Sequence, residues 1–487
     1  MKRLHAMKNI SMMVCMIAIL AAASCTKELD QVPHQIYYDN FYQTAEDALS
    51  AVNAAYDVLG SVNQYSSYLW LIQDISSDDC NARETLNDPN LHEFNNYTLE
   101  ANNNYLARIW QGSYLGIARA NVVIEKVPGI PMDSVERNRI VAEAKFLRAL
   151  NYFNLVRLFG GVPLTTVPVS SSLVDAEVDL PRSPADSVYL QIIQDLSQAA
   201  EALPVRYPVA NDKGRATQGA ALGLLAKVYL TRKDWVPAYQ TAQRVIGLNV
   251  YSLHADFAGN FLEANKNGKE SVFEVQFYKK LVTECSQMVI SGLPSIPGLF
   301  SAGVEIMLPT EDLLNSFEPG DHRKDVTFFD HYWYYTFVPH IWKYWDQVAY
   351  KPAATSQSGA NFIVMRYPEI LLIYAEALNE ANGGPTAEAY DAINQVRARA
   401  RNGNATVLPD LSGLSREEFR NALLNERRHE FVSEGQRWYD LVRTGRLIEY
   451  VKRAKGDKAN PTEFSSVFPI PQRERDFNKN LSQNEGY

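Results

Sequence analysis

Apolar residues recur at three- and four-residue intervals over most of the chain after residue 40, the spacing of one face of an α-helix. Ile140, Ala144, Leu147, Leu150, Leu155 and Leu158 trace such a face within one long segment, with Asn151 set among them. Start signals stand ahead of several segments. Thr44 precedes Ala45-Glu46-Asp47 and a run toward Leu59, and Asp133 with Glu136, like Ser415 with Glu418, has the spacing of a capping box. Ser183 reads as a cap directly before a first-turn Pro184, and Gly160-Gly161 ahead of Pro163 reads as a helix stop. Between about residues 250 and 365 the helical period fades. Gly, Pro and aromatic clusters take over there, and short strands such as Ser271 to Phe277 are expected instead of helices.

Two helical segments resemble each other. LLAKVYLTRKDWVPAYQTAQRVI and LIYAEALNEANGGPTAEAYDAINQV each give a small-residue helix, a polar turn and a second helix; Ala238, Tyr239 and Val245 match Ala389, Tyr390 and Val396. This is the look of tetratricopeptide repeats, and AEAKFLRALNYFNLV followed by SVYLQIIQDLSQAAEAL reads as a further, degenerate pair. One such pair cannot bury its own apolar face, so the pairs must stack. The expected fold is mainly α. A tetratricopeptide-like helical scaffold at about 40–248 and 366–450 is interrupted by a loop-rich aromatic region at about 250–365, within a single domain of residues 25–487.

The first 24 residues stand apart. Lys2, Arg3 and Lys8 precede an apolar run from Ile10 to Ala23, the form of an export signal too short to span a membrane. The run ends in Ala22-Ala23-Ser24-Cys25, which resembles the lipobox of bacterial lipoproteins, where cleavage precedes the Cys and lipid is attached to it. Ala22 departs from the commoner Leu. Several acyl chains on Cys25 would anchor the protein stably. Thr26, Lys27, Glu28 and Asp30 look like the charged cue that sends lipoproteins to the cell surface. Losing the leader takes the formal charge from −9 to −12, which argues against nucleic acid as a partner. Only Cys80 and Cys285 remain beyond the anchor, and nothing in the sequence pairs them.

Catalytic and metal motifs are scarce. The eight His residues are scattered, without HExxH, and neither GxSxG nor a phosphate-binding loop is present. Ser76-Ser77-Asp78-Asp79 offers oxygens of the type calcium takes, yet lacks EF-hand spacing; no cofactor is expected, and calcium stands as an unsupported alternative. In NERRHEFVSEGQRWYDLVRTG, Glu426, Glu430 and Glu434 recur every fourth residue and would share one helix stripe. A glycosidase needs two carboxylates facing each other across a sugar, about 5 to 10 Å apart. Carboxylates on successive turns of one helix point the same way and repel unless cations neutralise them. Arg427, Arg428, Arg437 and Arg443 are near in sequence, so the stretch is read as an ion-paired element that pins the fold, with no catalytic residue in it.

Aromatic residues are more informative. Phe328 to Tyr350 holds eleven in twenty-three residues, three of the seven Trp among them. Consecutive rings from Tyr332 to Tyr335 cannot all face one core on a strand or a helix. Tyr332, Trp333, Tyr335, Trp342 and Trp345 are therefore the candidate ligand platform, since flat rings suit the C–H faces of a sugar.

Five segments carry a resemblance to one family, in its order: AEAKFLRALNYFNLVRLFGGVPL, GRATQGAALGLLAKVYL, RYPEILLIYAEALNE, NERRHEFVSEGQRWYDLVRTG and FPIPQRERDFNKNLSQNEGY. The chain resembles SusD/RagB-type outer-membrane nutrient-binding lipoproteins across its mature length. Glu485 stands where the family's ending usually has Pro. The resemblance implies a glycan or other oligomer captured at the cell surface and passed to a SusC-like TonB-dependent transporter, and the function expected is non-catalytic capture of an oligosaccharide. It also implies that an acidic and a basic residue of the early loop help hold the glycan, which points to Asp79 and Arg83. The alternatives are peptide capture, a surface glycosidase, which would need two facing carboxylates outside the Glu426 helix, and a structural lid that binds nothing itself.

Overall fold

Thr44 caps helix α1 (Ala45–Asp57): its hydroxyl accepts from the Asp47 N–H while the Asp47 carboxylate accepts from the Thr44 N–H. The computed structural model describes residues 41–168, 180–209, 212–279, 284–296, 300, 303–332, 335–346 and 358–487, so the leader, Cys25 and Trp333 lie outside the described residues. Helices α2 (Tyr68–Ile75), α3 (Pro89–Asn96), α4 (Asn104–Lys126) and α5 (Ser134–Phe159) follow, with the short strand β1 (Cys80–Ala82) after α2. Asp133 caps α5 by accepting from the Val135 and Glu136 N–H groups, and Gly160, at φ 72°, ends it in a conformation that favours glycine. From Ile140 onward α5 is buried on nearly every side, Glu143, Arg148, Asn151 and Asn154 included. A helix enclosed in this way is a central rod of the fold. Ser183 does not cap the next helix, α6 (Ala185–Ala202); it lies in strand β3 (Arg182–Ser183), paired with β2 (Val162–Pro163). The Pro184 ring pushes the residue before it into extended backbone.

Chain neighbours then stack. α4 packs on α5, α5 on α6, α6 on α7 (Gln218–Arg232), and α7 on α8 (Trp235–Gly247). The series breaks for the region that runs through β4 (Ser271–Val275), α9 (Met288–Gly292), β5 (Met307–Pro309), α10 (Glu311–Ser316), α11 (His322–Thr327), β6 (Phe328–Tyr332), β7 (Tyr335–Ile341) and β8 (Phe362–Arg366). β4 pairs antiparallel with β8, and β1 with β5. Past β8 the stack resumes: α12 (Tyr367–Asn382) packs directly on α8, α13 (Ala387–Ala400) and α14 (Arg416–Glu430) pack on α12, and α15 (Arg437–Thr444), α16 (Leu447–Lys455) and α17 (Gln472–Phe477) complete the helices. The strand-bearing region is thus an insertion into a helical repeat. Leu372, Ile393, Val396, Phe419 and Leu423 form one apolar cluster across α12, α13 and α14. Each contributes about 1.5–3 kcal/mol by full burial. Thr44–Tyr487 forms one compact unit, and no helix among the described residues is long and apolar enough to cross a membrane.

The stretch from Asn425 to Gly445 is buried without a break from Glu426 to Leu441, and its ion pairs differ from those expected. α14 ends at Glu430, and Glu434 lies in the turn beyond it, where Ser433 and Gly435 take positive φ. Gly435 is required there: a Cβ would lie 2.6 Å from the Gln73 Oε1 and 3.3 Å from the Trp70 Cα. The three glutamates therefore do not share one stripe. Glu426 accepts from Arg323 at 2.6 Å and Arg397 at 3.2 Å; Glu430 accepts from Arg323 at 3.0 Å and also from Arg366 and Arg399. Glu434 accepts from Lys343 at 2.7 Å and from the Nε and Nη2 of Arg366, each at 3.0 Å. None of these cations is one of the four arginines nearby in sequence. Arg427 pairs with Asp440 and Glu369, Arg428 with Asp78, Asp79 and Asp312, Arg437 with Asp78, and Arg443 with Asp440 and Glu376. Neighbours on one helix diverge around its axis, so each arginine reaches a different wall of the core.

Candidate ligand-binding site

β6 and β7 form an antiparallel hairpin in which Phe328 opposes Ile341, Phe329 opposes His340, and Tyr332 opposes Tyr335, with an irregularity between Phe329 and His331. Its root is apolar and buried, through Phe328, Phe329 and Ile341. Toward the tip the burial falls away: Tyr332 is half-buried, Tyr335 is exposed, and Val338 is 60 % exposed. Trp342 follows β7, held by its N–H on the Thr327 carbonyl at 3.0 Å. Its ring stacks on Phe329, with centroids 4.5 Å apart and planes at 11°, and stays half-buried. The rings are therefore graded from core to surface.

Trp345, expected on the platform, belongs to the core end of that gradient. It is only 6 % exposed and meets Phe300 edge-on at 5.0 Å, with Tyr332 at 5.5 Å and Trp342 at 5.8 Å. Its main-chain N–H turns back onto the Trp342 carbonyl, which brings the two rings together while only one of them reaches the surface. Tyr332, Trp342 and Trp345 thus share one cluster, Tyr335 sits across the hairpin from Tyr332, and Trp333 lies outside the described residues.

The early-loop pair separates. Asp79, expected to touch ligand, is 1 % exposed, and its carboxylate accepts from the Arg428 Nε at 2.7 Å. Burial raises its carboxyl despite the Arg428 charge. Its neighbour Asp78 is gripped at both oxygens by Arg437, at 2.7 and 2.9 Å. Burial opposes ionisation of Asp78 as well, but Arg437 and Arg428 outweigh it and hold the carboxyl at about 2. These oxygens, weighed above as calcium ligands, serve guanidinium groups, and no metal-binding cluster occurs among the described residues.

Arg83 does reach the aromatic hairpin, through an acid that sequence reasoning missed. Its N–H donates to the Ile306 carbonyl at 3.0 Å, extending the β1–β5 pairing, and its Nη1 donates to Glu305 at 2.5 Å. The other Glu305 oxygen lies 3.4 Å from the His340 Nε2 of β7. Burial pushes the Glu305 carboxyl up, but the Ser295 N–H, Arg83 and His340 more than offset this and leave it below the usual range. Burial likewise keeps His340 below the ordinary histidine range. The Arg83 Nε is buried and has no hydrogen-bond partner among the described residues. Glu305 carried no sequence signal, because its partners lie 222 residues before it and, in His340, on a different strand.

Comparison with known proteins places this arrangement. Residues 29–230 match a family model described as starch-binding, associating with the outer membrane, and residues 331–487 match the SusD family model. A SusD-like protein of Formosa agariphila is 29 % identical, with the alignment covering 97 % of this chain and 98 % of that protein. The crystal structure of a SusD homolog from Bacteroides thetaiotaomicron superposes with a TM-score of 0.82 at 25 % identity, covering 92 % of this chain and 98 % of the other. A laminarin-binding SusD-like protein superposes with a TM-score of 0.79 at 28 % identity, over 92 % and 100 % of the two chains. With the interrupted helical repeat, the inserted hairpin and the two models that cover most of its length, this chain belongs to the SusD/RagB family.

Proposed function

We propose that this protein captures oligosaccharides without cleaving them. Held at the cell surface of the outer membrane by lipid on Cys25, it delivers them to a SusC-like TonB-dependent transporter. The observation that carries the reading is the graded ring cluster of the hairpin, with Tyr332, Tyr335 and Trp342 at its outer edge and Arg83 tied to it through Glu305 and His340. Rings of this kind stack on the C–H faces of a sugar, and the partly exposed Arg83 guanidinium suits a hydroxyl at the rim. The starch binding in the family model's description and the laminarin bound by a structural relative support a glycan over a peptide. A non-catalytic role accords with the Asn425–Gly445 stretch, whose carboxylates are enclosed and neutralised by arginine and lysine.

Stacking adds about 0.5–1.5 kcal/mol per ring beyond its buried area. Trp342→Ala is therefore expected to weaken binding of laminarin oligosaccharides at least about tenfold, since 1.4 kcal/mol is one decade. Calorimetric titration of the mature chain carrying Cys25→Ser, alone and with Trp342→Ala or Tyr335→Ala, reads this directly, after an array of glycans and peptides has ranked the ligands. Unchanged affinity in both variants, or an array that selects peptides only, would overturn the reading.

The anchor has its own test. Cys25→Ser is expected to release the protein from the membrane fraction, because no helix among the described residues can hold it there. Continued cofractionation with outer membrane in cells that lack the transporter would sink the lipid assignment.

A further inference from the structure

A cavity of about 390 Å³ opens where the α6–α7 connection, the segment after α8 and the start of β4 meet, and it shares no lining residue with the hairpin site. Its volume falls within the range of small-ligand pockets. Four cations line it: Arg206, Lys213, Arg215 and Lys269. Arg215 is fully engaged, donating to Asp212 and Glu143 at 2.9 Å and to Asn53 at 2.8 Å. The other three are exposed, and none has a carboxylate partner among the described residues. Among the described residues, Arg206 is steadied only by the Val250 carbonyl, at 3.1 Å. The carboxylate in the lining, Glu274, is buried and hydrogen-bonded to Asn361 at 2.8 Å and to the Asn267 N–H at 2.9 Å, so it does not oppose them. Three unopposed cations around one concavity are notable on a chain whose formal charge is −9. A concave wall of this kind focuses positive potential.

The wall also carries a ring in a fixed place. Tyr251 stacks on Tyr367 with centroids 6.2 Å apart, and its hydroxyl lies 3.3 Å from the Thr217 hydroxyl. Gly219 leaves the room that this hydroxyl fills, since a Cβ there would lie 2.1 Å from it. We infer that this cavity is a second ligand site, distinct from the hairpin, that takes a pyranose bearing a compact anionic group, a carboxylate or a sulfate ester. Lys213, Lys269 and Arg206 meet the charge, while Tyr251 and the Thr217 hydroxyl meet the ring and its hydroxyls.

Trigalacturonate, a sulfated galactan disaccharide and neutral laminaritriose, each titrated calorimetrically into the mature chain carrying Cys25→Ser at low and moderate salt, test this. At least one acidic probe is expected to bind, more weakly as salt rises. Adding Lys213→Ala and Lys269→Ala together should cost that probe about tenfold or more. The same change should leave the melting temperature and the laminaritriose affinity unaltered, and Trp342→Ala should leave the acidic probe's affinity unaltered. The two acidic arms identify which anionic group the site prefers. Wild-type affinity in the double lysine variant, equal losses for neutral and acidic probes, or no binding by either acidic probe would overturn the assignment. Any of these results leaves the hairpin reading standing, because the two sites share no residue.

Discussion

Glu430→Ala is expected to destabilise this protein by about 3–5 kcal/mol or more, the usual cost of removing one partner from a buried ion pair. Glu430 is fully enclosed and answers three guanidinium groups, Arg323, Arg366 and Arg399, each itself buried. Burial alone would favour its neutral form, yet the three arginines hold the carboxyl far below its ordinary range. Without it, Arg366 retains Glu434 and Arg323 retains Asp321 and Glu426, but among the described residues Arg399 keeps only Glu270. Arg399→Met should therefore cost less than Glu430→Ala, because Glu430 would keep two of its three partners. Chemical denaturation of both variants gives the order, and ligand titration at low temperature should show binding intact. A Glu430→Ala protein that unfolds like the wild type but has lost ligand binding would return this residue to a direct role in the site.

Acidification below pH 4 is expected to cost several kcal/mol more. Asp78 and Asp440 are both buried, and both are held at about 2 against an ordinary 3.8; burial works the other way in each, but Arg437 and Arg428 outweigh it at Asp78, and Arg427 and Arg443 at Asp440. Folded values below the unfolded ones mean that this stabilisation is complete above about pH 4 and drains away as the pH falls toward 2. Each carboxylate accounts for about 2 kcal/mol of it, and Glu430 adds to the same limb. Asp74, Asp79 and Glu426 act in the opposite sense, because burial raises them and the fold favours their protonated forms. Their raised carboxyls take up protons at higher pH than Asp78 and Asp440 do, so the steep loss stays on the acid side. Melting temperatures recorded from pH 6 to pH 2 should fall sharply below 4, and Asp440→Asn should flatten that limb while lowering the plateau. Equal melting temperatures at pH 5 and pH 2.5 would refute the network as a source of stability.

The sequence by itself determined the parts of this protein that rest on short-range physics. Thr44 and Ser415 close capping boxes within three residues, Gly160 ends α5, and the apolar spacing from Ile140 to Leu158 is that of the buried rod. The two repeat-like segments become α7–α8 and α12–α13, which pack together because neither pair can cover its own apolar face. The fading of the period after residue 250 marks an insertion that the stack closes around, and Ser271 to Phe277 yields β4. Motif order across the chain was enough to point to the family.

Only the tertiary structure decided which charges meet and which rings stay in reach of a ligand. The partners of Glu430 lie 31, 64 and 107 residues away in sequence, so proximity along the chain favoured the wrong arginines. Arg366 reaches Glu430 and Glu434 because β8 runs straight into α12 at that residue, a junction set by the pairing of β8 with β4. Asp79 and Arg83 are four residues apart, yet one faces α14 and the other faces Glu305. Trp342 and Trp345 read alike in an aromatic run without a period, and the hairpin with Phe300 sends one outward and one inward. Caps, periods and turns depend on neighbours a few residues away and can be read from order alone. Ion pairs and ring burial depend on which distant walls the stack brings together, and that is settled only when the apolar faces have closed.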